Sequence, residues 1–183
     1  MIDFVFIEAL EGNTGTAYVP DPDNSHSGVT IGCGFDLGAR SCSELEVAFS
    51  PALTGKLTPY VGLKKHQAVK ALQRLPLILN DAEVYSVNAY AKCEAVTRLN
   101  LQWQRSAACI AFDKLPIPCQ TVIASVAFQY GDLARRTPHF WQQVTRGSWS
   151  AALDNLQNFG DNYPSRRKKE AALLKAWLDN SVV

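Results

Sequence analysis

Missing from this sequence are long apolar runs, an excess of charge of one sign, repeats, and the clustered cysteines or histidines of a metal site. Nowhere do apolar residues run on for the roughly 20 positions that a membrane-spanning helix needs, so membrane insertion is not expected. The opening MIDFVFIEALEG lacks the basic n-region and long apolar stretch of a secretory signal, so cytoplasmic synthesis without export by that route is expected. His26, His66 and His139 are scattered and no Cys-x-x-Cys pair occurs, so no metal site is expected. Low-complexity tracts are absent too, which argues for a folded chain. The five cysteines, Cys33, Cys42, Cys93, Cys109 and Cys119, cannot all pair within one chain. They are expected to be free and largely buried in a protein made in a reducing compartment. A Cys33–Cys42 bridge is the open alternative, because both residues flank one hairpin region.

What is present is enough for a core. The chain has 183 residues, 47% of them hydrophobic, which suits one domain of two lobes. Net charge is only +1, yet residues 1–50 hold eight acids and one base while the remaining segments are net basic. Such asymmetry fits a carboxylate-bearing site that meets an anionic polymer, and it equally fits ordinary solvated faces. The near-neutral total and the lack of a recognisable motif disfavour nucleic-acid binding.

Residues 2–11 carry Ile2, Phe6, Ile7 and Leu10 near helical spacing, and Gly12 after Glu11 is a stop signal. Residues 13–36 are rich in Gly, Pro, Asn, Asp and β-branched residues, which is hairpin chemistry. Helical patterns then resume in CSELEVAF and in LKKHQAVKALQRL, where Ala68, Leu72 and Leu75 share a face. Asn80 followed by Glu83 starts a long helix towards Arg105 as a capping box. Pro116 and Pro118 precede QTVIASVAFQYG, an apolar run that reads as a buried central helix. Two short helices closed by glycine follow, and Pro164 and Ser165 open a last one.

Chemistry can be sought where the first helix meets the hairpin. Glycoside hydrolysis needs a carboxylic acid to protonate the leaving oxygen, and a second polar or anionic group to hold water or steady the developing cation. Glu11 ends an apolar helix beside a polar hairpin, the partly desolvated setting that such an acid requires. Glu8, one turn earlier on the same face, is its rival. In VTIGCGFDLG, Thr30 supplies a hydroxyl, Gly32 and Gly34 permit close approach, and Asp36 adds a carboxylate. Each also has a plainer reading: Thr30 as a strand former, Asp36 as a turn residue, and Asp21 and Asp23 as turn formers in PDPDN. The tryptophans are read mainly as core.

Glu11, Gly12, Ala17 and Tyr18, followed by TIGCG from Thr30 to Gly34, resemble the catalytic segment of phage-type lysozymes. The run ASVAFQYGDL with TPHFWQQVTRGSWSAAL resembles that family's central helix and those behind it. Arg166, Arg167, Glu170, Leu173 and Leu174 resemble its terminal RRxxExxLL pattern. The longer loop between Glu11 and Thr30, and an aspartate six residues after the threonine, resemble the pesticin-like branch of toxins with a phage-lysozyme fold.

The resemblance implies an α+β, mostly helical, two-lobed fold with a cleft, divided into a 13–40 hairpin lobe and a helical part of 1–12 and 41–183. It implies a muramidase that cleaves the β-1,4 bond between N-acetylmuramic acid and N-acetylglucosamine without a cofactor. Glu11 would be the acid, with Thr30 and Asp36 positioning water. Tyr18, Gly32, Gly34, Gln129 and Tyr130 would contact the glycan strand. Arg166, Arg167 and Glu170 would be structural, although the arginines could also meet peptidoglycan carboxylates. A monomeric antibacterial toxin, effector or endolysin is implied, acting in the wall of a target cell and matched by an immunity protein in the producer. A lytic transglycosylase and an inactive wall-binding module are the rival functions.

Overall fold

Ten α-helices and one small antiparallel sheet build residues 1–11 and 14–181, the part that the computed structural model describes. The architecture is α+β and predominantly helical, as the sequence pattern implied. The chain divides into two compact units, Met1–Leu10 with Glu94–Val183, and Glu11–Cys93. That division differs from the expected 13–40 hairpin lobe, for a physical reason. Three short strands cannot bury their own apolar residues, so the helices that cover them belong to the same unit.

In the Glu11–Cys93 unit, β1 (Thr14–Tyr18), β2 (Thr30–Gly32) and β3 (Phe35–Asp36) pair in that order, each antiparallel to its neighbour. Val29, Ile31, Phe35 and Leu37 are all but inaccessible, packed in one cluster with Leu45, Leu53, Leu57 and Tyr60. These partners come from α2 (Cys42–Ala48), α3 (Pro51–Leu57) and the 3₁₀ turn Thr58–Tyr60. Phe35, Phe49 and Tyr90 close the cluster with three edge-to-face contacts, their ring centres 5.3–5.9 Å apart. Helix α3 went unseen in the sequence, although Ser50 caps it and Pro51 opens it.

In α4 (Lys65–Arg74), Ala68 is buried and Leu72 partly so, but Leu75 is 55% exposed. The expected common face fails at Leu75 because that residue is the extended C-cap, beyond the helical period. The capping box of α5 (Asp81–Gln104) forms reciprocally: Glu83 N–H donates to Asn80 Oδ1 and Asn80 N–H to Glu83 Oε2, both at 3.0 Å. Lys56 also donates to the Glu83 carboxylate and, with the Asn80 N–H, holds it below its ordinary pKa.

The other unit is built on α6 (Ile117–Tyr130), in which every residue from Cys119 to Ala127 is buried. A helix that is mostly apolar on every face must be covered on every face, and its few buried polar side chains must find partners. Part of that cover is α1 (Phe4–Glu11), where Ile7 enters the core, Phe4 meets Phe128 edge-on, and the backbone N–H of Asp3 donates to Thr121 Oγ1. Gly131 ends α6 at a φ of 70°, and Asp132 then caps the one-turn α7 (Leu133–Arg136). Helices α8 (Pro138–Thr145), α9 (Trp149–Gln157) and α10 (Pro164–Asn180) follow, α10 lying against both α6 and α9.

None of the five cysteines forms a disulfide, so the Cys33–Cys42 bridge does not form. The expectation of largely buried thiols is corrected: only Cys119 is buried, Cys33 is intermediate, and Cys42, Cys93 and Cys109 are exposed. Three exposed thiols lie on polar helix faces or in a loop, where periodicity gives them no reason to turn inward. Burial pushes the Cys119 thiol up to about 12, and the thiolate is the reactive form. Iodoacetamide should therefore alkylate Cys42, Cys93 and Cys109 in the native protein, with Cys119 reacting only after denaturation. Peptide mass mapping before and after unfolding checks this order.

Candidate active site

The small sheet collects the residues of interest into one row. Tyr18 on β1 lies opposite Thr30 on β2, and Thr30 lies opposite Asp36 on β3. Directly opposed residues of an antiparallel ladder project on the same face, so the three side chains share a face. Tyr18 is at its exposed edge, Thr30 is buried and Asp36 is half-buried.

Two backbone crossings fix this row. Asp36 Oδ1 accepts from Gly28 N–H at 2.9 Å and from Gly38 N–H at 2.8 Å, while Thr30 Oγ1 donates to Gly28 O at 3.3 Å. Gly28 is thus gripped from both sides. A Cβ on Gly28 would come within 2.5 Å of Gly38 Cα and 2.2 Å of Leu63 O, so glycine is required for the approach. Asp36 is therefore a turn cap as well as a candidate reacting group. Its Oδ1 holds the backbone, and among the described residues its Oδ2 has no hydrogen-bond partner.

Glu11 is half-buried at the end of α1, whereas Glu8, three residues earlier, is exposed. The Tyr18 hydroxyl is raised above its ordinary pKa by burial first, then by the negative charges of Glu11 and Cys33. Gly12, part of the resemblance, lies outside the described residues. Asp21 accepts from the N–H of Asn24 and from its amide within a turn, and Asp23 faces His66 Nε2 at 3.1 Å on the surface. Asp21 has the turn-forming role that PDPDN suggested, whereas the partner of Asp23 lies 43 residues away.

Gly32 and Gly34 behave differently. Gly32, at a φ of 64°, is buried against α5, where an added Cβ would come within 2.3 Å of Asn88 Oδ1. Gly34, at 104°, faces open space and leaves the backbone accessible. Asn88 went unnoticed in the sequence. It is 7% exposed, and its Oδ1 accepts from the Cys33 N–H at 2.8 Å, fixing the turn between β2 and β3. The available signal was its place on the buried stripe of α5, beside Val84 and Val87. A polar residue there needs a partner.

A family model described as "Pesticin: Bacterial toxin homologue of phage lysozyme, C-term" matches residues 1–150. The chain belongs to this family. A comparison with curated proteins found no match. The matched span takes in Glu11, Tyr18, Thr30 and Asp36, so this chain's sheet row lies within the part that defines the lysozyme relationship.

The terminal Arg-Arg-x-x-Glu pattern lies beyond the matched span and forms a buried charge cluster. Glu170 is completely inaccessible and Arg167 is 3% exposed. Arg166 Nε donates to Glu170 Oε1 at 3.1 Å, and its terminal nitrogen donates to the Ser125 carbonyl at 2.8 Å. Ser125 Oγ donates to Glu170 Oε1, and Arg167 donates to Glu170 Oε2 and Gln129 Oε1. Arg167 also pairs with Asp161 at 2.9 Å and lies 4.6 Å above the centre of the Phe159 ring. The Tyr130 hydroxyl donates to Asp161 Oδ2 at 2.7 Å and is pushed up to about 12, by burial first and then by Asp161. The polar atoms of Gln129 and Tyr130, expected to meet substrate, are thus turned to supporting Arg167. Removing one member of such a buried set strands the others, a loss of about 3–5 kcal/mol in comparable pairs.

Burial would raise the Asp161 carboxyl, but Arg167, Tyr130 and the Tyr163 N–H together hold it below its ordinary 3.8. A depressed folded pKa stabilises fully above the unfolded value and loses that contribution as pH falls through the folded one. Asp161→Asn should therefore be less stable than the parent at pH 6, with the gap shrinking below pH 3.8. Urea unfolding at a series of pH values measures it.

Proposed function

We propose that this protein is a muramidase of the pesticin-like branch, hydrolysing the β-1,4 bond after N-acetylmuramic acid in peptidoglycan. The supporting observation is the Tyr18–Thr30–Asp36 row with the charge of Glu11 felt at its Tyr18 end, within a span matched to a phage-lysozyme homologue. In this reading Glu11 protonates the glycosidic oxygen as the bond to the anomeric carbon breaks. Water attacks that carbon and loses a proton to Asp36 through Oδ2, the oxygen not used in capping. The Thr30 hydroxyl, whose proton is turned to Gly28 O, offers its lone pairs to the same water. The exposed Gly34 lets the strand approach the backbone, and Tyr18 offers a ring face to a sugar.

The family's description as a bacterial toxin homologue supports a toxin role; in this reading the protein acts on the wall of a target cell and is matched by an immunity protein in the producer. An unmodified reducing muramic acid end on the released fragments is the expected product. A 1,6-anhydro end by mass spectrometry would identify a transglycosylase instead.

Glu11→Gln keeps the side-chain shape and removes the transferable proton, so turbidity clearance of purified peptidoglycan should fall about 10²–10⁴-fold with the melting temperature held. Full activity in Glu11→Gln with an inactive Glu8→Gln would reassign the acid to Glu8. Asp36 separates two roles. Asp36→Asn keeps an acceptor oxygen for Gly28 and Gly38, and should lose activity while retaining stability. Asp36→Ala should lose activity and, by leaving buried N–H groups unpaired, about 1–3 kcal/mol of stability as well. Undiminished lysis by Asp36→Asn would remove Asp36 from the mechanism.

A further inference from the structure

The Met1–Leu10/Glu94–Val183 unit contains a cavity of about 440 Å³ that none of the residues discussed above as catalytic or substrate-binding lines. Its wall is indole and aliphatic: Trp103, Trp149 and Trp177 with Ile110, Leu115 and Val144. Trp103 is nearly inaccessible, and its Nε1–H is satisfied by Ile110 O at 2.8 Å, so the indole is locked in place. Trp149 and Trp177 are half-buried and brace one another edge-on at 5.8 Å. The cavity is thus rigid, of the size and apolar lining typical of small-molecule sites.

The rim is cationic. Lys114 and Arg146 both line the cavity, and both are exposed. With the Gln142 amide turned so that its oxygen faces the guanidinium, at 3.0 Å, Arg146 meets a neutral acceptor, and among the described residues no carboxylate pairs with it. The carboxylate paired with Lys114 is that of the adjacent Asp113, at 3.9 Å, with both side chains 75% exposed. Such an exposed pair contributes little and yields readily to a better-placed anion. An apolar chamber with uncompensated positive charge at its mouth fits one kind of small molecule, in which an apolar body enters and an anionic head remains at the rim.

We propose that this cavity binds a monoanion with an apolar body, of the fatty-acid kind, as a binding site separate from the glycan chemistry. Guanidinium and ammonium groups would take the head, and the three indoles would enclose the chain. Cys109, an exposed thiol in the cavity wall, supplies a local reporter.

The test uses the whole native chain and dodecanoate below its micelle concentration, with dodecyltrimethylammonium and dodecyl maltoside as matched chains bearing positive and neutral heads. Dodecanoate should change tryptophan fluorescence saturably with one-to-one stoichiometry. It should also slow iodoacetamide modification of Cys109 while leaving that of Cys42 unchanged. The double variant Lys114→Gln/Arg146→Gln, altered only at exposed side chains, should bind dodecanoate at least tenfold more weakly, and Ala107→Trp, which fills the cavity, should not bind it. The proposal is overturned by equal affinity for all three heads, by unchanged affinity in the double variant, or by Cys109 protection no greater than that of Cys42. Association only with anionic vesicles, with no response to monomeric dodecanoate, would overturn it as well.

Discussion

A buried carboxylate must be matched atom by atom, and Glu170 imposes that constraint on the larger unit. Its two oxygens draw Arg166 and Arg167 from its own helix and Ser125 from the centre of α6, so α10 can dock in one register only. Arg167 then carries the constraint outward, to Asp161, Gln129 and the rings of Phe159 and Tyr130. Apolar packing of Leu174 and Ala171 against the same core provides attraction without direction. The charges supply the direction, because a shifted register would leave a desolvated ion without a partner.

The sheet-bearing unit uses the same principle with a smaller group. One oxygen of Asp36 gathers two backbone N–H groups where the chain crosses itself at Gly28 and Gly38, and Thr30 takes up the Gly28 carbonyl. In the proposed mechanism, structural and chemical duties would fall on the same side chain. Rigid placement of the remaining carboxylate oxygen follows from the capping by the first, which is how a short, irregular sheet can hold a group in fixed geometry. Asn88 does the corresponding work for the next turn, from a helix more than fifty residues later in sequence.

The two units meet different physical demands. In one, an all-round apolar helix fixes the core and the polar groups are cross-links. In the other, three short strands need helices α2 to α5 for burial, and this extended the unit well past the hairpin that the local sequence suggests. The cavity beside Trp103 belongs to the first kind: large indoles locked by packing leave space that smaller side chains would have collapsed into.

The sequence by itself determined what depends on near neighbours. Apolar periodicity marked α1, an apolar run marked α6, Asn80 with Glu83 marked the start of α5, and glycine and proline placement marked the turns, since each acts through contacts a few residues apart. The order of the Glu11, Thr30 and Asp36 segments was likewise legible, and these segments lie within the span matched to the family. Tertiary structure alone decided what depends on distant partners. Tyr18, Thr30 and Asp36 became a row through strand register, which no local spacing encodes. Gln129 and Tyr130 turned from substrate-facing expectations into supports for Arg167, because Asp161 and α10 arrive from thirty or more residues away. Leu75 and three of the cysteines stayed in solvent because hydrophobic character states a preference for burial, while the packed neighbours that would satisfy it are fixed only when the chain has folded.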